Sequence, residues 1–157
     1  MKSLSKNFLF IFFIVSFFIF ISFFRAGKRN FHSEDLNHLF VKNNKIIYFW
    51  ATWCSVCQTN LGMIKFYEKH FNSKFNSEFI SIEEGSNGDK YLQDYISKNE
   101  IEFKVLKATP GLLRKNFIES YPTTLFINSE NKIIFSEIGI ITPLGIFFRL
   151  LLLNIGL

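Results

Sequence analysis

Lys45-Ile46-Ile47-Tyr48-Phe49-Trp50-Ala51-Thr52-Trp53-Cys54-Ser55-Val56-Cys57 is the stretch on which the fold turns. Lys45 to Trp50 is a continuous β-branched and aromatic run, the pattern of a strand buried on both faces. Past Ala51 the pattern changes to a helix running to about His70, with Cys57, Leu61, Ile64 and Phe71 on one face. The chain's 2 cysteines therefore sit where a buried strand gives way to a helix.

Working outward, Ser33 can cap a short helix, Glu34 to Val41, which Asn43-Asn44 ends. Glu78 to Ile82 reads as a second strand. Asn87 to Lys98 reads as a helix with Tyr91, Leu92 and Tyr95 at helical spacing. Glu102 to Leu106 is a candidate short strand, and Thr109-Pro110-Gly111 a turn before a short helix to about Phe117. Thr123 to Ile127 and Lys132 to Glu137 form a hairpin about Asn128 to Asn131. Thr142 is an N-cap with Pro143 at the first helical position, opening a last helix from Leu144 to Ile155. Strands alternating with helices, closed by a hairpin, predict an α/β fold: a mixed central sheet with helices on both faces.

The chain has 157 residues, 22 of them Phe, and a net charge of +5. Lys2, Lys6, Arg25, Lys28 and Arg29 precede residue 30, where there is no acid. Of the 18 Lys+Arg, 13 therefore remain from residue 30 onward, balancing all 13 Asp+Glu. No basic face is left for phosphates, so nucleic acid is excluded as a partner. Between the basic flanks runs Phe8 to Phe24, FLFIFFIVSFFIFISFF, an uncharged stretch reaching about 25 Å as a helix. It has no polar face, so residues 1–29 are expected to be a transmembrane anchor and residues 30–157 the folded domain, with Lys28 to Ser33 as the tether. A cleaved signal peptide is the rival, but Phe24-Arg25-Ala26 matches a cleavage site poorly. The flanking charges differ by one residue and leave the orientation open. The last helix is apolar nearly all round; too short to span and carrying Arg149, it is expected to pack on the core, with an interfacial helix as the alternative.

A Cys-x-x-Cys alone also suits structural zinc or an inert buried pair. His32, His38 and His70 lack any spacing that would complete a zinc site, so no metal is expected. The redox reading rests on position: a thiol at a helix N-terminus meets unpaired backbone N–H groups and the positive end of the dipole, which favour thiolate. Cys54 would be the exposed nucleophile and Cys57, facing inward, the resolving thiol.

Phe49 to Cys57 resembles the thioredoxin active-site segment. Tyr121-Pro122-Thr123-Thr124 with Leu125-Phe126-Ile127 resembles that family's cis-proline loop and following strand, and Glu137-Ile138-Gly139 its glycine turn. The resemblance covers about Ser33 to Leu157 and is nearest to membrane-anchored bacterial proteins of the TlpA-like and ScsD-like groups, including cytochrome c maturation reductases. It implies a thioredoxin-like fold and a thiol–disulfide oxidoreductase whose only redox group is the Cys54–Cys57 disulfide, with no bound cofactor. Trp53, Val56, Tyr121, Pro122 and Gly139 would form the substrate-docking rim.

One departure stands out. The buried Asp of thioredoxin aligns with Tyr48, a poor base at neutral pH. Glu83 or Glu84 could instead accept the Cys57 proton; the plainer reading is two solvated acids at a strand end. Cysteine-containing exported proteins and a membrane thiol-redox partner are the expected partners of a monomer. The domain is expected on the periplasmic face of a bacterial inner membrane, where disulfides form, working in the reducing direction. A disulfide oxidase or isomerase, or a copper-holding thiolate module, are the alternatives.

Overall fold

The computed structural model describes Phe10, Phe13 and residues 29–32, 44–71, 74–75, 77–85 and 87–155. The helix expected over Glu34–Val41 and, apart from those two phenylalanines, the Phe8–Phe24 run lie outside the described residues. No helix among the described residues is long and apolar enough to cross a membrane.

The elements in chain order are β1 (Arg29–Asn30), β2 (Asn44–Trp50), α1 (Ser55–Phe71), β3 (Ser77–Glu83), α2 (Asp89–Lys98), β4 (Val105–Lys107), α3 (Pro110–Lys115), β5 (Thr123–Ile127), β6 (Lys132–Ile138) and α4 (Pro143–Asn154). They build one sheet of 6 strands in the order β1-β6-β5-β2-β3-β4. β2, β3 and β4 run parallel. The β2–β5, β5–β6 and β6–β1 pairs are antiparallel. The expected mixed sheet is therefore the one observed.

β2 lies at the centre and is buried along its whole length. Its pleat divides the core. Ile46, Tyr48 and Trp50 face α1, α2 and α4, where they join Cys57, Leu61, Ile64, Leu92, Ile146, Leu150 and Leu153. Ile47 and Phe49 face the other way, toward Phe31, Leu112 of α3, Ile80, Leu125 and Ile127. The last helix packs on the core as expected. Asn44 Nδ2 donates to Asn154 Oδ1 at 2.9 Å, clasping the end of α4 to the start of β2.

Three local readings need correction. Arg29 to His32, assigned to a tether, are built into the domain. Arg29 and Asn30 pair with Ile133 and Lys132, Phe31 is buried, and the His32 backbone exchanges hydrogen bonds with the Asn116 side chain. The β6 edge supplies the partner that a two-residue strand lacks by itself. Thr109-Pro110-Gly111 is not a turn ahead of α3: Thr109 caps it, its Oγ1 accepting from Leu112 N at 3.2 Å, and Pro110 is its first residue. The candidate strand at Glu102–Leu106 lies further along, at Val105–Lys107, because Ile101 and Phe103 are drawn into the core.

Candidate active site

β2 delivers the chain to the active-site end of the sheet and Cys54 turns it into α1. Cys54 N donates to Ala51 O at 3.1 Å, and Gln58 N donates to Cys54 O at 3.1 Å, the first hydrogen bond of the helix. Cys54 is thus the residue that caps α1. Cys57 N donates to Cys54 Sγ at 3.1 Å, so sulfur occupies the place of the usual capping oxygen. Cys54 and Cys57 are joined as a disulfide, their Cα atoms 5.2 Å apart.

The expected exposure of Cys54 is not what the oxidised site presents. Cys54 is 6% exposed and Cys57 2%. The disulfide and the Cys57 amide draw Cys54 against the helix end, while Trp53 and Val56 on either side stand out into solvent.

The remaining residues expected at the rim come from two further segments. The Tyr121–Pro122 peptide bond is cis. The Trp53 ring meets Tyr121 edge-on, with centroids 5.9 Å apart. Gly139 N donates to Pro122 O at 2.8 Å, and Gly139 takes a φ of 96°, a region that favours glycine. Trp53 is therefore linked to Tyr121, and Gly139 to Pro122. Val56 is exposed in the first turn of α1. Burial is the main cause that raises the Tyr121 pKa, followed by the charges of Glu84 and Glu83.

The two glutamates divide. Glu83 is buried, unlike a solvated strand-end acid, and its Oε1 accepts from Thr52 N at 3.4 Å and Thr52 Oγ1 at 3.3 Å. Glu84 is half-buried, and its Oε2 accepts from the Trp53 indole Nε1 at 3.2 Å. One carboxylate thus braces the turn before Cys54, and the other holds the rim tryptophan.

Tyr48 occupies the core position expected of it. Burial pushes its phenol up to about 12, against the opposing effect of a hydrogen bond with Asn60. Asn60 Nδ2 donates to Tyr48 Oη at 3.4 Å, and Ile141 N donates to Asn60 Oδ1 at 3.3 Å. A neutral amide–phenol pair therefore joins β2, α1 and the segment after Gly139.

Asn60 was not singled out from sequence, nor were Thr52, Gln58 and Asn87. Gln58 Nε2 donates to Thr52 O at 3.0 Å and Asn87 Nδ2 to Thr52 Oγ1 at 2.9 Å, fixing the active-site turn from both sides. Asn60 did carry a signal: a polar residue one turn after Cys57, beside Leu61 on the apolar face of α1. Among the described residues, no three His, Cys, Asp or Glu side chains gather as a metal-binding group.

The fold is thioredoxin-like, and with a Cys-x-x-Cys disulfide capping α1 the class defined is that of a thiol–disulfide oxidoreductase. The chain is similar to sporulation thiol-disulfide oxidoreductase A of Bacillus subtilis, 24% identical over 111 residues that cover 69% of this chain and 67% of that protein. Its structure is similar to that of StoA from Bacillus subtilis, with a TM-score of 0.64 and 20% identity over 69% of this chain and 82% of the other. It is also similar to that of Etrx1, the exposed lipoprotein thioredoxin of Streptococcus pneumoniae, with a TM-score of 0.60 and 20% identity over 79% and 98%. The chain spans about 60% to 67% of the length of the curated relatives it matches. No protein-family model matches the chain.

Proposed function

We propose that this chain is a membrane-tethered thiol–disulfide oxidoreductase that reduces disulfides in exported proteins. The observation that carries the reading is the capping disulfide: Cys54 Sγ takes the Cys57 N–H at 3.1 Å, next to Trp53, whose ring meets Tyr121 of the cis Tyr121–Pro122 bond. In the reduced protein a Cys54 thiolate at this place would be stabilised by the helix N-terminus. It attacks one sulfur of a substrate disulfide; that bond breaks, a mixed disulfide forms on Cys54, and one substrate thiolate leaves. Cys57 gives up its proton and its thiolate attacks Cys54 Sγ. The intramolecular disulfide forms and the second substrate thiolate leaves, so two electrons pass to substrate. A membrane thiol partner restores the dithiol by the reverse exchange.

Reduction is favoured over oxidation because Ser55 and Val56 place no charge between the cysteines to stabilise thiolate further. A less stabilised dithiol is the stronger reductant. Proton acceptance from Cys57 is assigned to Glu83, the buried carboxylate that braces the turn into Cys54, rather than to the half-buried Glu84. Trp53, Val56, Tyr121, Pro122 and Gly139 form the docking rim.

The Phe8–Phe24 run with its basic flanks supports an N-terminal anchor, and the redox pair supports an oxidising compartment outside the cytoplasm. Etrx1, an exposed lipoprotein, is a precedent for a cell-surface thioredoxin-like domain. The test is a Cys57→Ala chain in cells, which should accumulate mixed disulfides with exported proteins on Cys54. Absence of any trapped protein, together with no insulin reduction by the native chain, would overturn the assignment. Protease protection of the domain in intact spheroplasts would overturn the orientation.

A further inference from the structure

α4 presents two apolar faces, and the core accounts for only one. Ile146, Leu150 and Leu153 are buried against the sheet. Leu144, Phe148, Leu151 and Ile155, spaced at four, three and four residues, form a second stripe whose members are between 43% and 67% exposed. A helix facing water would carry polar residues there. The single charge of the helix, Arg149, is turned aside: it pairs with Glu137, donates to Gly145 O at 3.1 Å, and lies 5.7 Å from the Phe126 ring centroid. The outer stripe is left with no charge of its own.

The chain leading into the domain narrows what can cover this stripe. β1 begins at Arg29 and the apolar run ends at Phe24. Arg25 to Lys28 reach at most about 14 Å, even fully extended. β1 pairs with β6, and the Arg149–Glu137 pair ties α4 to that same strand. A domain anchored on so short a leash lies against the bilayer, and α4 is tied to β6, the strand beside which the leash enters the sheet.

We propose that the outer stripe of α4 lies in the lipid headgroup–acyl boundary, making this helix a second, non-spanning membrane contact. The proposal rests on the anchor reading above. α4 runs from Thr142, just past the Gly139 turn, to Asn154 at the far end of β2. Laid along the bilayer, it would orient the strands parallel to the membrane and hold the disulfide close to the surface, within reach of a membrane-embedded thiol donor.

The test uses the full chain reconstituted in vesicles of phosphatidylcholine and phosphatidylglycerol whose acyl chains are brominated near the headgroups. Phe148→Trp adds an emitter on the stripe, and Tyr91→Trp adds one on the exposed surface of α2. The added emission of Phe148→Trp should be lost in brominated vesicles, while that of Tyr91→Trp persists. Persistence of both, in a chain retained through an alkaline carbonate wash, overturns the α4 contact and leaves the anchor standing. A chain released by carbonate but quenched at Phe148→Trp beforehand supports the contact and overturns the anchor. A concentration-dependent dimer, abolished by Leu151→Gln and unquenched by lipid, overturns the proposal in favour of a second copy.

Discussion

Asn60→Ala is the most informative single change, because Asn60 is fully buried and ties three elements together. Its Oδ1 satisfies the Ile141 N–H and its Nδ2 reaches the Tyr48 hydroxyl. Ile141 and Tyr48 are themselves buried, so water cannot readily replace the lost partner. Each orphaned group costs about 1–3 kcal/mol, which puts the variant about 2–6 kcal/mol below the native chain, out of a total of roughly 5–15 kcal/mol for an ordinary domain. Denaturant unfolding followed by tryptophan emission should show a lower midpoint with an unchanged slope. Asn60→Asp supplies the companion measurement. It keeps an acceptor for Ile141 N–H, but buries a carboxyl whose pKa burial raises above the ordinary value near 3.9. The folded state then holds that proton more tightly than the unfolded state. Stability relative to the native chain is greatest below about pH 4 and falls as pH rises through the raised value. A loss under about 0.5 kcal/mol in Asn60→Ala, or a pH-independent difference in Asn60→Asp, would refute the bridging role, since ordinary surface changes fall within that range.

The Tyr48 phenol, moved from 10.0 to about 12, makes the fold sensitive to alkali: the unfolded chain loses this proton first, so stability drops by about 3 kcal/mol as pH rises from 10 to 12, and Tyr48→Phe should lessen that drop in a pH titration of unfolding. Gly139→Ala meets no atom within 4 Å but forces an L side chain to φ 96°, and should cost about 1–2 kcal/mol of thermal or denaturant stability. Gly62→Ala, in the exposed middle of α1 with the same free space, should instead gain about 0.5–1 kcal/mol. Glu83→Gln keeps an acceptor for Thr52 and should fold normally, yet slow resolution of a Cys54 mixed disulfide about 100-fold if its carboxylate takes the Cys57 proton; an unchanged rate in stopped-flow exchange would confine Glu83 to bracing the turn.

Elements whose signals are local were legible from the residues. β2 announces itself by Ile46 to Trp50, and α4 by Thr142 and Pro143, which cap and start it as read. The Cys54–Cys57 disulfide, the cis bond before Pro122 and the positive φ of Gly139 are equally local features. What escaped depends on a partner elsewhere in the chain. β1 has only two residues and exists because β6 offers an open edge. β4 takes its register from Ser81 to Glu83, so its own pattern misplaced it. The Tyr48–Asn60–Ile141 bridge joins residues 12 and 81 positions apart, and no spacing rule reaches that far.

Because the sulfur proposed to react is also the cap of α1, helix formation and electron transfer share a thermodynamic cycle. Whatever the helix end contributes to holding a Cys54 thiolate in the reduced protein, it subtracts from that dithiol's reducing strength. A preferential stabilisation of about 1.4 kcal/mol corresponds to a potential about 30 mV more oxidising. Substitutions at Ser55 and Val56, the two residues inside the first turn, should therefore tune the potential even where they never touch a substrate. Folding studies on this chain must fix the redox state first, since oxidised and reduced forms begin α1 from chemically different caps.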